Sequence, residues 1–182
     1  SPDRKGDRRL YAPAREARGG GGITAASANI RNLPEARIGI FVDYESPLAR
    51  RVAGDVWSGL SRAALEAGYT KTTALWKSLR EGRGPVPPGA PIVHVFAIGQ
   101  DQPDAVDAVG AVGDPAVPHL YGVIVAVPDR PSPLTGSLLY QGVQRLTEAG
   151  VKAGMVEPAL LHAVPEECER YARRLLSRLQ RA

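Results

Sequence analysis

The chain has 182 residues, of which 43% are hydrophobic and 23% charged, enough to build one globular domain with a core. Its single cysteine, Cys168, excludes an internal disulfide framework and a multi-cysteine zinc site. No apolar run approaches the length of a membrane span, and the first twenty residues lack the apolar segment of a secretory signal. We therefore expect a cytoplasmic protein with no membrane partner.

The basic excess lies at the N-terminus. Residues 1–37 hold eight Lys and Arg against four Asp and Glu, and the remaining chain holds fifteen of each. We therefore divide the chain into a basic, flexible arm over 1–34 and an α/β domain over 35–182. A basic arm favours phosphate contacts, so Arg4, Lys5, Arg8 and Arg9 are candidate contacts to RNA. The alternative is a solvated tail, or an arm that binds protein partners in an assembly.

The domain begins with a short apolar run over 37–44 that is typical of a buried strand. Ser46 and Pro47 then fit the N-cap and first position of a helix that ends near Gly68. Further strands are predicted over 69–76, 92–99, 120–127 and 151–156, and further helices over 134–149 and from Pro165 onward. The segment 101–114 is ambiguous, because its glycines would weaken a short helix.

Strands that alternate with helices in this way predict a mainly parallel open sheet covered by helices on both faces. The last helix carries an apolar stripe of Cys168, Tyr171, Ala172, Leu175, Leu176 and Leu179. The fold class predicted from the sequence is therefore α/β and Rossmann-like.

Acidic residues follow several of the predicted strands, where open parallel sheets bind their ligands. Asp43 and Glu45 follow the first strand, the acids from Asp101 to Asp114 follow the third, and Asp129 follows the fourth. Carboxylates that meet at one edge suit Mg²⁺, which can activate a water against a phosphodiester. The alternative is that they cap turns and helices.

The segment Ile38 to Pro47, IGIFVDYESP, resembles the opening of the NYN group of PIN-like ribonucleases, in which an apolar strand ends in Asp. Ser46 replaces the asparagine usual there. Asp107 and Asp114, with Asp104 as an alternative first member, resemble the family's pair of acids two helical turns apart. Asp129 is the one acid kept in a later turn that usually holds two.

This resemblance implies a PIN-like fold and a Mg²⁺-dependent endoribonuclease with catalytic residues Asp43, Asp107, Asp114 and Asp129. Asp43, Asp114 and Asp129 would be the metal ligands. A degenerate RNA-binding relative is the variant of this hypothesis without cleavage. The alternatives are a non-enzymatic structural or docking module of a larger assembly, such as a phage particle, a secretion machine or a nucleoprotein complex, and a small-molecule-binding Rossmann-like domain.

Overall fold

The computed structural model describes residues 35–81, 93–111 and 120–181. The predicted arm, with Arg4, Lys5, Arg8 and Arg9, lies outside them, as does Asp114. In the described residues the strands are β1 (Ala36–Val42), β2 (Thr72–Ser78), β3 (Val93–Gly99), β4 (Leu120–Val127) and β5 (Val156–His162). The α-helices are α1 (Pro47–Glu66), α2 (Leu134–Glu148) and α3 (Pro165–Arg181), and short 3₁₀ turns lie at Leu79–Glu81, Pro103–Ala108 and Ala153–Met155.

The five strands form one sheet in the order β2-β1-β3-β4-β5, and every neighbouring pair is parallel. This is the strand order of the flavodoxin-like doubly wound fold. The prediction of a parallel open sheet with helices on both faces is confirmed.

The two faces of the sheet are covered by different elements. Side chains that alternate along the strands point to opposite faces, so Ile38, Ile40 and Val42 pack with α1 and α3, whereas Phe41 packs on the other side. That second face is covered by α2 and by the turn Pro103–Ala108. The core is therefore two apolar layers separated by the sheet.

Local sequence signals set the helix ends as predicted. Ser46 is the N-cap of α1, and its hydroxyl accepts a hydrogen bond from the backbone N–H of Ala49 at 3.0 Å. Gly68 and Gly150 follow α1 and α2 with φ values of 99° and 104°, a conformation that favours glycine after a helix.

Two strands lie at positions that differ from the predicted ones. β2 begins at Thr72, three residues later than predicted, and the last strand is Val156–His162 rather than 151–156. Residues 153–155 form a 3₁₀ turn instead. The prediction misplaces β5 because Glu157 and Pro158 interrupt its apolar pattern, which an edge strand tolerates.

Helix α3 is held to its neighbours by its apolar stripe and by arginines. Cys168 and Tyr171 are buried, and the Tyr171 hydroxyl donates to the carbonyl of Glu157 at 2.7 Å. Arg174 and Arg178 pair with the Glu157 carboxylate at 3.2 and 2.8 Å. These arginines fasten the helix to strand β5.

Among the residues described, none of the helices is both long enough and apolar enough to span a bilayer.

Candidate functional site

The fold places a topological switch point at the carboxyl ends of β1 and β3. After β1 the chain enters α1 on one face of the sheet, and after β3 it enters the turn Pro103–Ala108 on the other. Doubly wound sheets bind their ligands at such a switch point, because the two departing connections leave an opening there. We call this edge of the sheet the switch-point crevice and define it by Asp43, Glu45, Ser46, Arg80, Asp101 and Asp104.

Arg80 occupies the centre of the switch-point crevice. It lies in the 3₁₀ turn directly after β2, next to the end of β1. Its Nε and Nη2 donate to the two carboxylate oxygens of Asp43 at 2.6 and 3.0 Å. Asp43 is fully buried, so this two-point pair compensates a charge that would otherwise be costly to bury.

The same guanidinium reaches a second carboxylate. Nη1 and Nη2 of Arg80 donate to the two oxygens of Asp104 at 2.8 and 3.2 Å, and Glu45 lies 3.5 Å from its Nε. These hydrogen bonds raise the pKa of Arg80, and the bond from Arg80 is the main cause that lowers the pKa of Asp104. Arg80 therefore ties together the chain segments that follow β1, β2 and β3.

Ser46 and Asp101 close the gap between the ends of β1 and β3. The buried Ser46 hydroxyl donates to Asp101 Oδ1 at 2.6 Å while it caps α1. Gly99 makes this approach possible, since a Cβ there would overlap both partners and lie 2.8 Å from the Ser46 Cβ. The site therefore requires glycine at the end of β3.

Gln100 extends the network toward β4. Its backbone N–H donates to the carbonyl of Ala126 at 2.9 Å, and its Oε1 accepts from the backbone N–H of Ser132 at 3.3 Å and from the Thr135 hydroxyl. The start of α2, which has no side-chain cap of its own, is thereby fixed to the end of β3.

Most backbone N–H groups at the start of α1 already have acceptors within the chain. Pro47 has no N–H, and the N–H groups of Ala49 and Arg50 donate to Ser46. The N–H groups of Glu45 and Ser46 donate to Asp43, at 3.1 Å each. In this stretch of the described chain, only the N–H of Leu48 remains from the donors that a helix start normally offers to an anion.

The structure brings together only part of the predicted acidic set. Asp43 lies at the predicted edge of the sheet, next to Asp104 across Arg80. Asp107 is exposed and pairs with Arg145 of α2 at 2.9 Å, outside this network. Asp129 follows β4 as an exposed residue, and Asp114 lies outside the described residues.

The prediction of a Mg²⁺ cofactor is wrong. Within 35–81, 93–111 and 120–181, no group of three His, Cys, Asp or Glu side chains could hold a metal ion. The physical reason is Arg80, because its guanidinium lies between Asp43 and Asp104 and would repel a divalent cation.

Arg80 is the residue that sequence reasoning missed. A basic residue directly after a strand is the only signal of its position, and that signal does not identify its partners. Its contacts with Asp43 and Asp104 lie 37 and 24 residues away along the chain.

Comparison with known proteins adds solved structures but no family. No protein-family model matches the sequence, and no curated protein is significantly similar to it. Similar solved structures include a flavodoxin-like domain from Synechococcus sp. (16% identity, 79% of this chain and 93% of the other, TM-score 0.47). Another is an azoreductase from Bacillus anthracis (8% identity, 82% of this chain and 98% of the other, TM-score 0.44). A third is an NAD(P)H:quinone oxidoreductase from Methanothermobacter marburgensis (15% identity, 79% of this chain and 96% of the other, TM-score 0.42).

The resemblance to PIN and NYN ribonucleases is wrong, and so are the metal-dependent ribonuclease and the degenerate RNA-binding relative that it implied, because Arg80 pairs with the acids that would form the metal site. The observed strand order is flavodoxin-like. The acid-ended strand β1 that suggested a nuclease serves here to anchor Arg80.

Proposed function

We propose that this domain is a binding domain that recognises a positively charged group, a guanidinium or a primary ammonium, at the switch-point crevice. The observation that supports this most strongly is the excess of carboxylates around Arg80, because its one guanidinium is shared by Asp43, Glu45 and Asp104 and compensates only part of their charge. The location is also the one at which sheets of this order bind ligands.

The charge of the crevice supports the same choice. Asp43, Glu45, Asp101 and Asp104 carry four negative charges and Arg80 carries one positive charge, which leaves the network at −3. The side chains of Glu45 and Asp104 are 64% and 66% exposed, so their remaining lone pairs face the solvent. A cleft lined by one sign of charge attracts ligands of the opposite sign, and salt weakens that attraction.

The proposal is tested by isothermal titration of the protein with agmatine and with spermidine, compared with AMP as an anionic ligand. We expect saturable binding of the cations that weakens at least several-fold between low and physiological salt, and no binding of AMP. Glu45→Gln and Asp104→Asn should each weaken it. Asp107→Asn is the matched control, because Asp107 is an exposed carboxylate near Asp104 that pairs with Arg145 instead.

A second arm of the experiment distinguishes a free small cation from a basic side chain of a peptide. The peptide of residues 3–9, DRKGDRR, supplies clustered guanidinium groups from this chain's own sequence. Tighter binding of the peptide than of agmatine would identify a protein segment as the source of the charge. Binding that is equal in Asp104→Asn, Asp107→Asn and the unmodified protein would contradict the proposal.

A further inference from the structure

We infer that this chain does not accept the phosphate of flavin mononucleotide, although its sheet has the order in which flavodoxin holds that cofactor at the β1/β3 switch point. The inference concerns the residues at the start of α1 and does not depend on cation binding.

Backbone donors are the first reason. A phosphate at a helix start is held by several N–H groups that point at it. In this chain Pro47 removes one donor, the Ser46 hydroxyl occupies the N–H of Ala49, and Asp43 occupies the N–H groups of Glu45 and Ser46. The single remaining N–H of Leu48 cannot replace the solvation that a phosphate loses on binding.

Charge is the second reason. A phosphate monoester carries nearly two negative charges at neutral pH, and the crevice has a net charge of −3 from four carboxylates and Arg80. The guanidinium could in principle offset this, but four of its hydrogen bonds already go to Asp43 and Asp104. It has one N–H left for a ligand, since a guanidinium has five.

Space is the third reason. The Ser46 hydroxyl lies 2.6 Å from Asp101 across the gap between the strand ends, and Gly99 packs directly beneath that contact. A phosphate in that gap would have to break the cap of α1.

The test compares flavin mononucleotide with riboflavin, which has the same ring system without the phosphate. Each is titrated with the protein while flavin fluorescence is followed, up to about 100 µM, a concentration that detects binding of roughly −5.5 kcal/mol. We expect either no saturable change with either compound or equal affinities, because the phosphate contributes nothing. Flavin mononucleotide binding at least tenfold tighter than riboflavin would overturn the inference.

The variant Glu45→Gln/Asp101→Asn tests whether the removal of negative charge increases the affinity for flavin mononucleotide. It removes two of the four carboxylates and leaves Asp43 and Arg80 in place, and circular dichroism checks that it folds. We expect its affinity for flavin mononucleotide to rise relative to that of the unmodified protein, and to fall with added inorganic phosphate. A decrease or no change in that affinity would count against the electrostatic part of the argument. Failure of agmatine to bind would contradict the proposed function but would not affect this inference.

Discussion

Substitution of Arg80 by methionine should destabilise the domain by about 2–4 kcal/mol. Methionine keeps most of the side-chain volume but removes the guanidinium, which leaves the fully buried carboxylate of Asp43 without a countercharge. Breaking a buried pair by removal of one partner typically costs about 3–5 kcal/mol. We place the expected value slightly lower, because Arg80 is 25% exposed and the N–H of Glu45 still donates to Asp43.

The free energy of unfolding is measured by urea denaturation followed by circular dichroism at neutral pH, for Arg80→Met, Asp43→Asn and the double variant. The double variant should be less destabilised than the sum of the two single variants, since it contains neither charge of the pair. Asp107→Asn is the control and should change stability by less than about 0.5 kcal/mol, because its pair is at the surface. A loss below about 1 kcal/mol for Arg80→Met, or strictly additive effects, would refute this reasoning.

Three further outcomes are expected. Gly99→Ala should destabilise the protein by about 1–3 kcal/mol, because the new methyl group overlaps the Ser46 hydroxyl that caps α1. Gly136→Ala should instead stabilise it by about 0.5–1 kcal/mol, because Gly136 lies on a helix with open space around it. Urea denaturation measures both changes, and equal effects of the two variants would contradict this reasoning. Burial raises the pKa of Cys168 to about 12, so its thiol should react with a disulfide reagent at pH 8 only after unfolding in urea; stoichiometric reaction of the native protein within minutes would contradict its burial. Arg80 lowers the pKa of Asp104 below its unfolded value of 3.8, so this carboxylate stabilises the fold above that value and loses the effect as the pH falls through the lower folded-state pKa. The stability difference between the unmodified protein and Asp104→Asn should therefore shrink as the pH is lowered below 3.8, and a difference that grows in acid would contradict the pairing.

The elements that sequence reasoning located well are those with strong local signals. β4 is one uninterrupted apolar run and was predicted at its observed bounds, and α1 was located by Ser46 and Pro47. β5 was misplaced because it lies at the edge of the sheet, where no further strand pairs with it. Polar residues and proline are tolerated there, so Glu157 and Pro158 can break its apolar pattern. Periodicity therefore located the strands with continuous apolar runs better than it located the strands at the edges.

The location of the site could be predicted from the sequence, but its chemistry could not. The rule that ligands bind beyond the carboxyl ends of strands directed attention to Asp43, Glu45 and the acids from Asp101, and the structure places Asp43, Glu45 and Asp101 at that edge. The chemistry depends on the partner of Asp43, and that partner belongs to a separate segment, in the turn after β2. A carboxylate after a strand is compatible with a metal ion or with an arginine, and only the spatial order of the strands decides between them.

The Nε–H of Arg80 provides the most direct test that a guanidinium, rather than a metal ion or an anion, occupies the switch-point crevice. In a ¹H–¹⁵N correlation spectrum, we expect this group to exchange slowly with water because it donates to Asp43 at 2.6 Å. The signal should persist when Mg²⁺ is added. In Asp43→Asn the Nε–H should exchange quickly with water, because its hydrogen-bond acceptor has lost its charge. Exchange as fast as that of an exposed arginine such as Arg170, or loss of the signal on addition of Mg²⁺, would contradict the arrangement on which the account depends.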